Sequence, residues 1–200
     1  MHRVSSGNWS SENRFNLTLY VEKNMNILAF AASNSRKSIN KSLVTYASSL
    51  LEQHTVEILD INDYEMPIYS SDLEEVHGIP DAASRFVNKI AQADALLISF
   101  AEHNGNYTVA FKNLFDWASR KNMEVYQSKP IVMLSTSPGA GGASSVLGLA
   151  RESAHFFNGK VKASLSLPSF YDNFDLEKEE LTNTELLTQL KTVLAFFDVE

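Results

Sequence analysis

Hydroxyl, amide and basic side chains interrupt the first strongly patterned stretch of the chain, which runs from Asn26 to Asn40. This stretch starts as a short apolar run and ends as the beginning of a helical pattern. The first turn of a helix carries unpaired N–H groups and the positive end of the helix dipole, so it attracts anions. We therefore predict an anion site, suited to a phosphate group, where the strand meets the helix. Its candidate residues are Ser33, Ser35, Arg36, Lys37, Ser38 and Asn40.

The pattern of this stretch differs from those of two common nucleotide sites. It lacks the Gly-Lys-Ser/Thr ending of an ATP-binding P-loop and the three spaced glycines of a dinucleotide-binding fold. ATP and a dinucleotide phosphate are therefore poor candidates. A structural alternative stays open, because serine is common just before a helix and Ser35 or Ser38 could simply cap it.

Alternating strand and helix patterns follow this stretch along the chain. Apolar runs predict strands, and the amphipathic segments between them place apolar residues three and four positions apart, as a helix does. Such alternation is typical of an α/β fold with a parallel sheet. The predicted strands are residues 26–32, 55–61, 95–100, 130–135 and 160–167.

Two further loops carry unusual residues at the same edge of the predicted sheet. Ligands of open parallel sheets bind beyond the carboxyl ends of the strands. The loop after residue 100 contains Glu102-His-Asn-Gly-Asn-Tyr107, and the loop after residue 135 contains Ser137 and three glycines. Glycine lets the backbone approach a flat ring closely. Alternatively, Gly139, Gly141 and Gly142 only shape the start of the next helix.

Composition excludes several other classes of function. The chain has 200 residues, of which 44% are hydrophobic and 20% charged, and a formal net charge of −7, so we expect no nucleic-acid partner. It has no cysteine, no histidine pair with helical metal-ligand spacing and no Gly-x-Ser-x-Gly elbow. No apolar run reaches the roughly 18 residues of a membrane span. We predict a cytoplasmic protein without membrane insertion and without a metal site.

Residues 1–24 differ from the rest of the chain. They are rich in Ser and Asn, with one short apolar cluster, and Met25 directly precedes the first strand pattern. They lack the hydrophobic segment of a secretory signal. We interpret them as an N-terminal extension, either disordered or the product of a misassigned start, in preference to a functional arm.

The three loops together resemble those of the NADPH-dependent FMN reductases, a family of flavodoxin-like fold. The shared motifs are a Ser-rich loop ending in Ser38-Ile39-Asn40, a Glu-x-Asn-Gly-x-Tyr segment, and Ser-x-Gly-x-Gly-Gly before a helix. The resemblance covers about residues 25–197. It implies that residues 25–200 form one α/β domain, a three-layer sandwich whose five-stranded parallel sheet has the order 2-1-3-4-5.

The resemblance also implies how FMN would be held. The phosphate would lie in the first loop, against Ser33, Ser35, Arg36, Ser38, Ile39 and Asn40. The isoalloxazine ring would lie against Glu102, His103, Asn104 and Gly105, with its other polar edge against Ser137, Gly139, Gly141 and Gly142. NADPH or NADH would be the electron donor, and no residue is assigned a catalytic role.

Two of these loops depart from the family pattern. Many members have glycine before the first serine and arginine two positions after it, where this chain has Ala32 and Ser35. The arginine of this chain is Arg36, one position later. In the second loop, Ala101 and His103 replace a common proline and tyrosine.

The expected function is that of an FMN-dependent NAD(P)H oxidoreductase that reduces a quinone, flavin, azo compound or similar small acceptor. A flavodoxin-like electron carrier or flavin-binding module without NAD(P)H turnover stays open, as does a fold that has lost its flavin. Members of the family are usually dimers or tetramers with flavin beside a subunit contact. We therefore expect a homodimer or homotetramer, with the helix around Lys112 to Trp117 forming part of the contact.

Overall fold

A five-stranded parallel sheet forms the centre of the fold in the computed structural model, which describes residues 24–198. Its order is β2-β1-β3-β6-β7. This is the predicted order 2-1-3-4-5, renumbered because short strands intervene along the chain, so the prediction is confirmed. The strands are β1 (Asn26–Ala32), β2 (Thr55–Leu59), β3 (Ala95–Phe100), β4 (Glu102–His103), β5 (Asn106–Tyr107), β6 (Pro130–Thr136), β7 (Lys160–Leu167), β8 (Phe174–Asp175) and β9 (Glu180–Leu181).

Helices cover both faces of the sheet. One apolar core lies under the helices at residues 81–92, 109–121 and 144–153, and a second lies under those at residues 39–49 and 184–194. Among residues 24–198, none of the helices combines the length and the hydropathy that crossing a bilayer requires. The helices are α1 (Ile39–Ser49), α2 (Ser71–His77), α3 (Asp81–Gln92), α4 (Val109–Lys121), α5 (Ser144–Ser153), α6 (Phe170–Asn173) and α7 (Thr184–Leu194), with 3₁₀ turns at Ile61–Tyr64, Ala154–Phe157 and Ala195–Asp198.

Most of the predicted strand boundaries agree with the structure. The strands predicted at 26–32, 95–100 and 160–167 have those bounds. The strand predicted to end at residue 61 ends at Leu59, because the Asp60 side chain accepts a hydrogen bond from the Asn62 N–H at 3.0 Å and caps a 3₁₀ turn there. The extension predicted at residues 1–24 lies outside the described residues, except for Asn24.

A β-hairpin, β4 and β5, replaces the loop predicted after the third strand. Its two turn residues, Asn104 and Gly105, have φ angles of 54° and 74°. Positive φ at both central positions identifies a type I′ turn, for which Asn-Gly is a preferred sequence. The hairpin pairs Glu102 with Tyr107 and His103 with Asn106. It therefore projects the Glu-His-Asn-Gly motif from the carboxyl end of β3.

Buried polar side chains join the carboxyl ends of neighbouring strands. Asn40 donates to the Thr136 carbonyl at 3.0 Å, and its own carbonyl accepts from the Ser99 hydroxyl at 2.8 Å and the Thr136 N–H at 3.1 Å. Thr108, which caps α4, donates to the Ala32 carbonyl at 3.0 Å. These bonds fix the start of α1 and the start of α4 against the sheet.

Gly142 fixes the sharp turn between β6 and α5. Its φ is +58°, and a Cβ built on it would lie 2.4 Å from Ser166 Oγ and 3.0 Å from the Leu167 carbonyl. Its carbonyl accepts hydrogen bonds from Ser135 and Ser166 at 2.8 and 2.9 Å. Both its backbone conformation and its close neighbours therefore require glycine.

We expect Gly142→Ala to destabilise the protein by about 2–4 kcal/mol, because it combines a left-handed backbone with a buried steric clash. Chemical denaturation measures this loss. Gly139→Ala is the matched control, since no atom lies within 4 Å of its added Cβ and its φ is not positive. We expect the control to change stability by about 0.5 kcal/mol or less. Equal stability of the two variants would contradict this account of the turn.

Candidate functional site

Three loops meet beyond the carboxyl ends of β1, β3 and β6. The Asn40 bonds hold the first loop to β6, and Thr108 holds the end of the hairpin segment to the end of β1. Glu102 of the hairpin accepts a hydrogen bond from the Val146 N–H of α5 at 2.9 Å. The structure thus brings the three predicted motifs together at one edge of the sheet.

Serine hydroxyls shape the first loop. Ser33 Oγ accepts from the Ser35 N–H at 3.3 Å, and Ser38 Oγ accepts from the Lys41 N–H at 3.4 Å. Ser38 is the N-cap of α1, which agrees with the capping alternative. Both bonds use the hydroxyl oxygen as acceptor and leave its hydrogen able to donate. The capping role and an anion-binding role are therefore compatible for Ser38.

Several backbone N–H groups of the same loop have no acceptor among residues 24–198. Within residues 24–198, the N–H of Ser38 bonds to the Ser35 carbonyl, whereas five neighbouring N–H groups donate to no protein atom. Helix α1 has no acidic residue in its first turn, so its positive end is not neutralised there. The loop is a cluster of free donors suited to a phosphate group. The free N–H groups are those of Asn34, Arg36, Lys37, Ile39 and Asn40.

Two cations are free to add charge at this loop. Arg36 and Lys37 are exposed and form no ion pair within the described part of the chain. Lys41 is already engaged, because its ammonium lies 2.6 Å from the Asp60 carboxylate. That hydrogen bond, together with the Asn62 N–H, holds the pKa of Asp60 below its usual value. The loop's positive charge therefore comes from Arg36 and Lys37.

The predicted phosphate ligand Asn40 contributes differently from the serines. Its side chain is 3% exposed, and its amide and carbonyl groups are used by Ser99 and Thr136. Its backbone N–H, which has no acceptor among residues 24–198, is the group that could meet a ligand. Whether that N–H contacts a phosphate stays a prediction, but the side chain belongs to the fold.

The hairpin presents both side chains and backbone donors. His103, Asn104 and Gly105 are exposed at its tip. Glu102 is half-buried, and its carboxylate caps α5, whose own N-cap residue, Ala143, has no side chain that can do so. Sequence reasoning missed this capping role, since only the absence of a polar residue at position 143 hinted at it.

The loop between β6 and α5 divides its glycines between two roles. Gly142 is buried and shapes the start of α5, which is the structural alternative predicted for these glycines from the sequence. Gly139 and Gly141 are exposed, and no atom lies within 4 Å of a Cβ added to either. Their N–H groups, with that of Ala140, donate to no atom among residues 24–198. This part of the loop has room and donors for a flat, carbonyl-bearing ligand.

The donor set of the three loops fits FMN. The first loop offers five backbone N–H groups, serine hydroxyls and two cations, which suit a phosphate dianion. The second and third loops offer open glycine backbone, which suits the edge of a planar ring. Within the described residues, no group of three or more histidine and acidic side chains is placed to hold a metal ion.

Known proteins are similar to this chain in both sequence and fold. Residues 25–169 match the sequence profile of the NADPH-dependent FMN reductase family. An NADPH:quinone oxidoreductase of Arabidopsis thaliana is 30% identical over 183 residues, which span 85% of this chain and 90% of that protein. An NAD(P)H-dependent FMN reductase of Pseudomonas aeruginosa is 31% identical over 120 residues, 60% of this chain and 63% of the relative.

Solved structures agree at the level of the fold. FerB of Paracoccus denitrificans, described as a flavoenzyme NAD(P)H:(acceptor) oxidoreductase, superposes with a TM-score of 0.70 at 22% identity, covering 86% of this chain and 94% of FerB. A flavodoxin variant of Pseudomonas aeruginosa gives a TM-score of 0.52 at 14% identity, over 86% of this chain and 97% of its own. These structures establish a flavodoxin-like fold. The family profile matches more than half of this chain. The chain therefore belongs to the NADPH-dependent FMN reductase family.

Proposed function

We propose that this protein is an FMN-dependent NAD(P)H oxidoreductase that reduces a quinone, flavin, azo compound or similar small acceptor. The observation that carries the proposal is the convergence of three donor-rich loops at one sheet edge, tied together by Asn40, Thr108 and Glu102. Relatives named as quinone oxidoreductase, FMN reductase and 2-hydroxy-1,4-benzoquinone reductase support the same chemistry. The residues of these loops would hold FMN, and the bound flavin would supply the redox chemistry between a nicotinamide and the acceptor.

The protein's own residues bind and orient the reactants. The first loop, from Ser33 to Asn40, would hold the phosphate through N–H groups, hydroxyls and the charge of Arg36. The hairpin tip and the backbone of Gly139 and Gly141 would direct N–H dipoles at the polar edges of the ring, where they favour added negative charge. Hydride transfer needs positioning and exclusion of water from the reacting atoms, so no acid or base is assigned.

A subunit contact beside this site is part of the proposal. The helix around Lys112 to Trp117 stays the candidate, but Trp117 itself is 1% exposed and its indole N–H donates to the Pro67 carbonyl at 2.8 Å, so exposed residues near it would make the contact. The exposed apolar side chains in this region are Ile68, which follows Pro67 in the chain and is 72% exposed, and Val109, the first residue of α4, which is 69% exposed. We place the contact of a homodimer or homotetramer there, and sedimentation showing only a monomer would contradict it.

The cytoplasmic location also stays a prediction, which cell fractionation tests.

Steady-state turnover separates an enzyme from an electron carrier. We expect the purified protein with FMN to oxidise NADPH or NADH much faster in the presence of menadione than FMN alone does, because bound reactants are held in register. Absorbance of the reduced nicotinamide measures the rate. Tightly bound FMN without any acceleration of NAD(P)H oxidation would contradict the enzyme and favour the carrier.

Ser38→Asp tests where the phosphate lies. Aspartate also caps helices well, so the variant should keep α1 intact. Its carboxylate would face the phosphate at close range, and we expect FMN affinity to fall at least about tenfold. Quenching of FMN fluorescence measures the dissociation constant.

Ser71→Asp is the matched control. Ser71 is exposed at the first position of α2, outside the three loops, and an acidic residue suits that position. We expect the control to bind FMN like the wild type. Unchanged FMN affinity in Ser38→Asp, with native stability, would place the phosphate in a different loop.

A further inference from the structure

An apolar groove lies between α4 and α5, next to strand β5 of the hairpin. Its volume is about 340 Å³, within the range of small-molecule sites. Half of its ten lining residues are aromatic, and Leu149 of α5, which is 37% exposed, also lines it. The only charges among its lining residues belong to Lys112 and Asp116, which neutralise each other through contacts of 2.6 and 2.8 Å. The aromatic residues are Tyr107, Phe111, Phe115, Tyr126 and Phe157.

Tyr126 brings an unpaired hydroxyl to this groove. Tyr126 is only 3% exposed, yet its hydroxyl makes no hydrogen bond to any residue between 24 and 198. In the same part of the chain, no completely buried side-chain nitrogen or oxygen lacks a partner. The Tyr126 oxygen therefore keeps some contact with solvent, and Tyr126 is among the residues that line the groove.

A second phenol lies close by and is also held in its neutral form. The Tyr107 hydroxyl lies 3.2 Å from Ser153 Oγ. Burial raises the pKa of Tyr107 and raises that of Tyr126 further. Both phenols stay protonated at neutral pH, so Tyr126 is a free hydrogen-bond donor in apolar surroundings. A ligand oxygen that reaches this hydroxyl would accept its hydrogen bond in apolar surroundings.

We propose that this groove binds a small, neutral aromatic molecule whose carbonyl oxygen accepts a hydrogen bond from Tyr126. Aromatic walls favour a planar ring, and the absence of an unpaired charge favours an uncharged ligand. None of the residues assigned to FMN lines the groove, although Asn106 and Tyr107 of its wall pair with His103 and Glu102 across the hairpin. Titration of the groove with and without FMN therefore distinguishes it from the flavin site.

The test compares acetophenone with ethylbenzene, which has a similar shape but no acceptor. Ligand-observed NMR titration of the full chain, with and without saturating FMN, gives both affinities. We expect acetophenone to bind more tightly than ethylbenzene, and FMN to leave both unchanged. Tyr126→Phe should weaken acetophenone binding about threefold to tenfold and leave ethylbenzene binding unchanged, because it removes one hydrogen bond and no apolar surface.

Two further variants keep the test decisive. Leu149→Trp should fill the groove and abolish binding of both probes, while the exposed Leu176→Trp, at 53% exposure outside the groove, should change neither. Thermal midpoints should match the wild type in all three variants, since the Tyr126 hydroxyl makes no bond within the described chain and both leucines are exposed. Absence of acetophenone binding, displacement of acetophenone by FMN, or equal binding by Tyr126→Phe would overturn the proposal.

Discussion

The buried side chain of Asn40 is the interaction on which the arrangement of the site depends. Its amide connects the first turn of α1 to β3 through Ser99 and to β6 through Thr136. All three side chains are almost completely buried. Leaving such groups unpaired would cost about 1–3 kcal/mol each, so the start of α1 is held firmly at the carboxyl edge of the sheet. Thr108 and Glu102 complete the connection to the hairpin and α5.

Because side chains hold the loops in place, many backbone N–H groups at the site are left to bind a ligand. Side chains of Asn40, Thr108 and Glu102 meet the structural needs of the loops, while five N–H groups of the first loop and three of the third have no protein acceptor in the described residues. Backbone donors held by a rigid scaffold lose little entropy when a ligand binds. A site built in this way is suited to holding a phosphate and a ring edge in fixed register.

The sequence predicted the sheet well and the site only in part. Buried strands such as β3 read as continuous apolar runs, so their positions and order followed from pattern and family resemblance. The two-residue strands of the hairpin were too short to show alternation. The roles of Asn40, Glu102 and Gly142 depend on partners 96, 44 and 24 residues away, and no local pattern carries that information. Contact of each predicted residue with FMN remains a prediction.

The central claim is that flavin held by these three loops takes up electrons from a reduced nicotinamide. Anaerobic mixing of the FMN-loaded protein with NADPH, and separately with NADH, tests it most directly, followed by the absorbance of oxidised flavin. The account predicts rapid and complete loss of that absorbance with at least one of the two donors, and its return when menadione is added. Flavin that stays oxidised with both donors, while remaining bound to the protein, would contradict it.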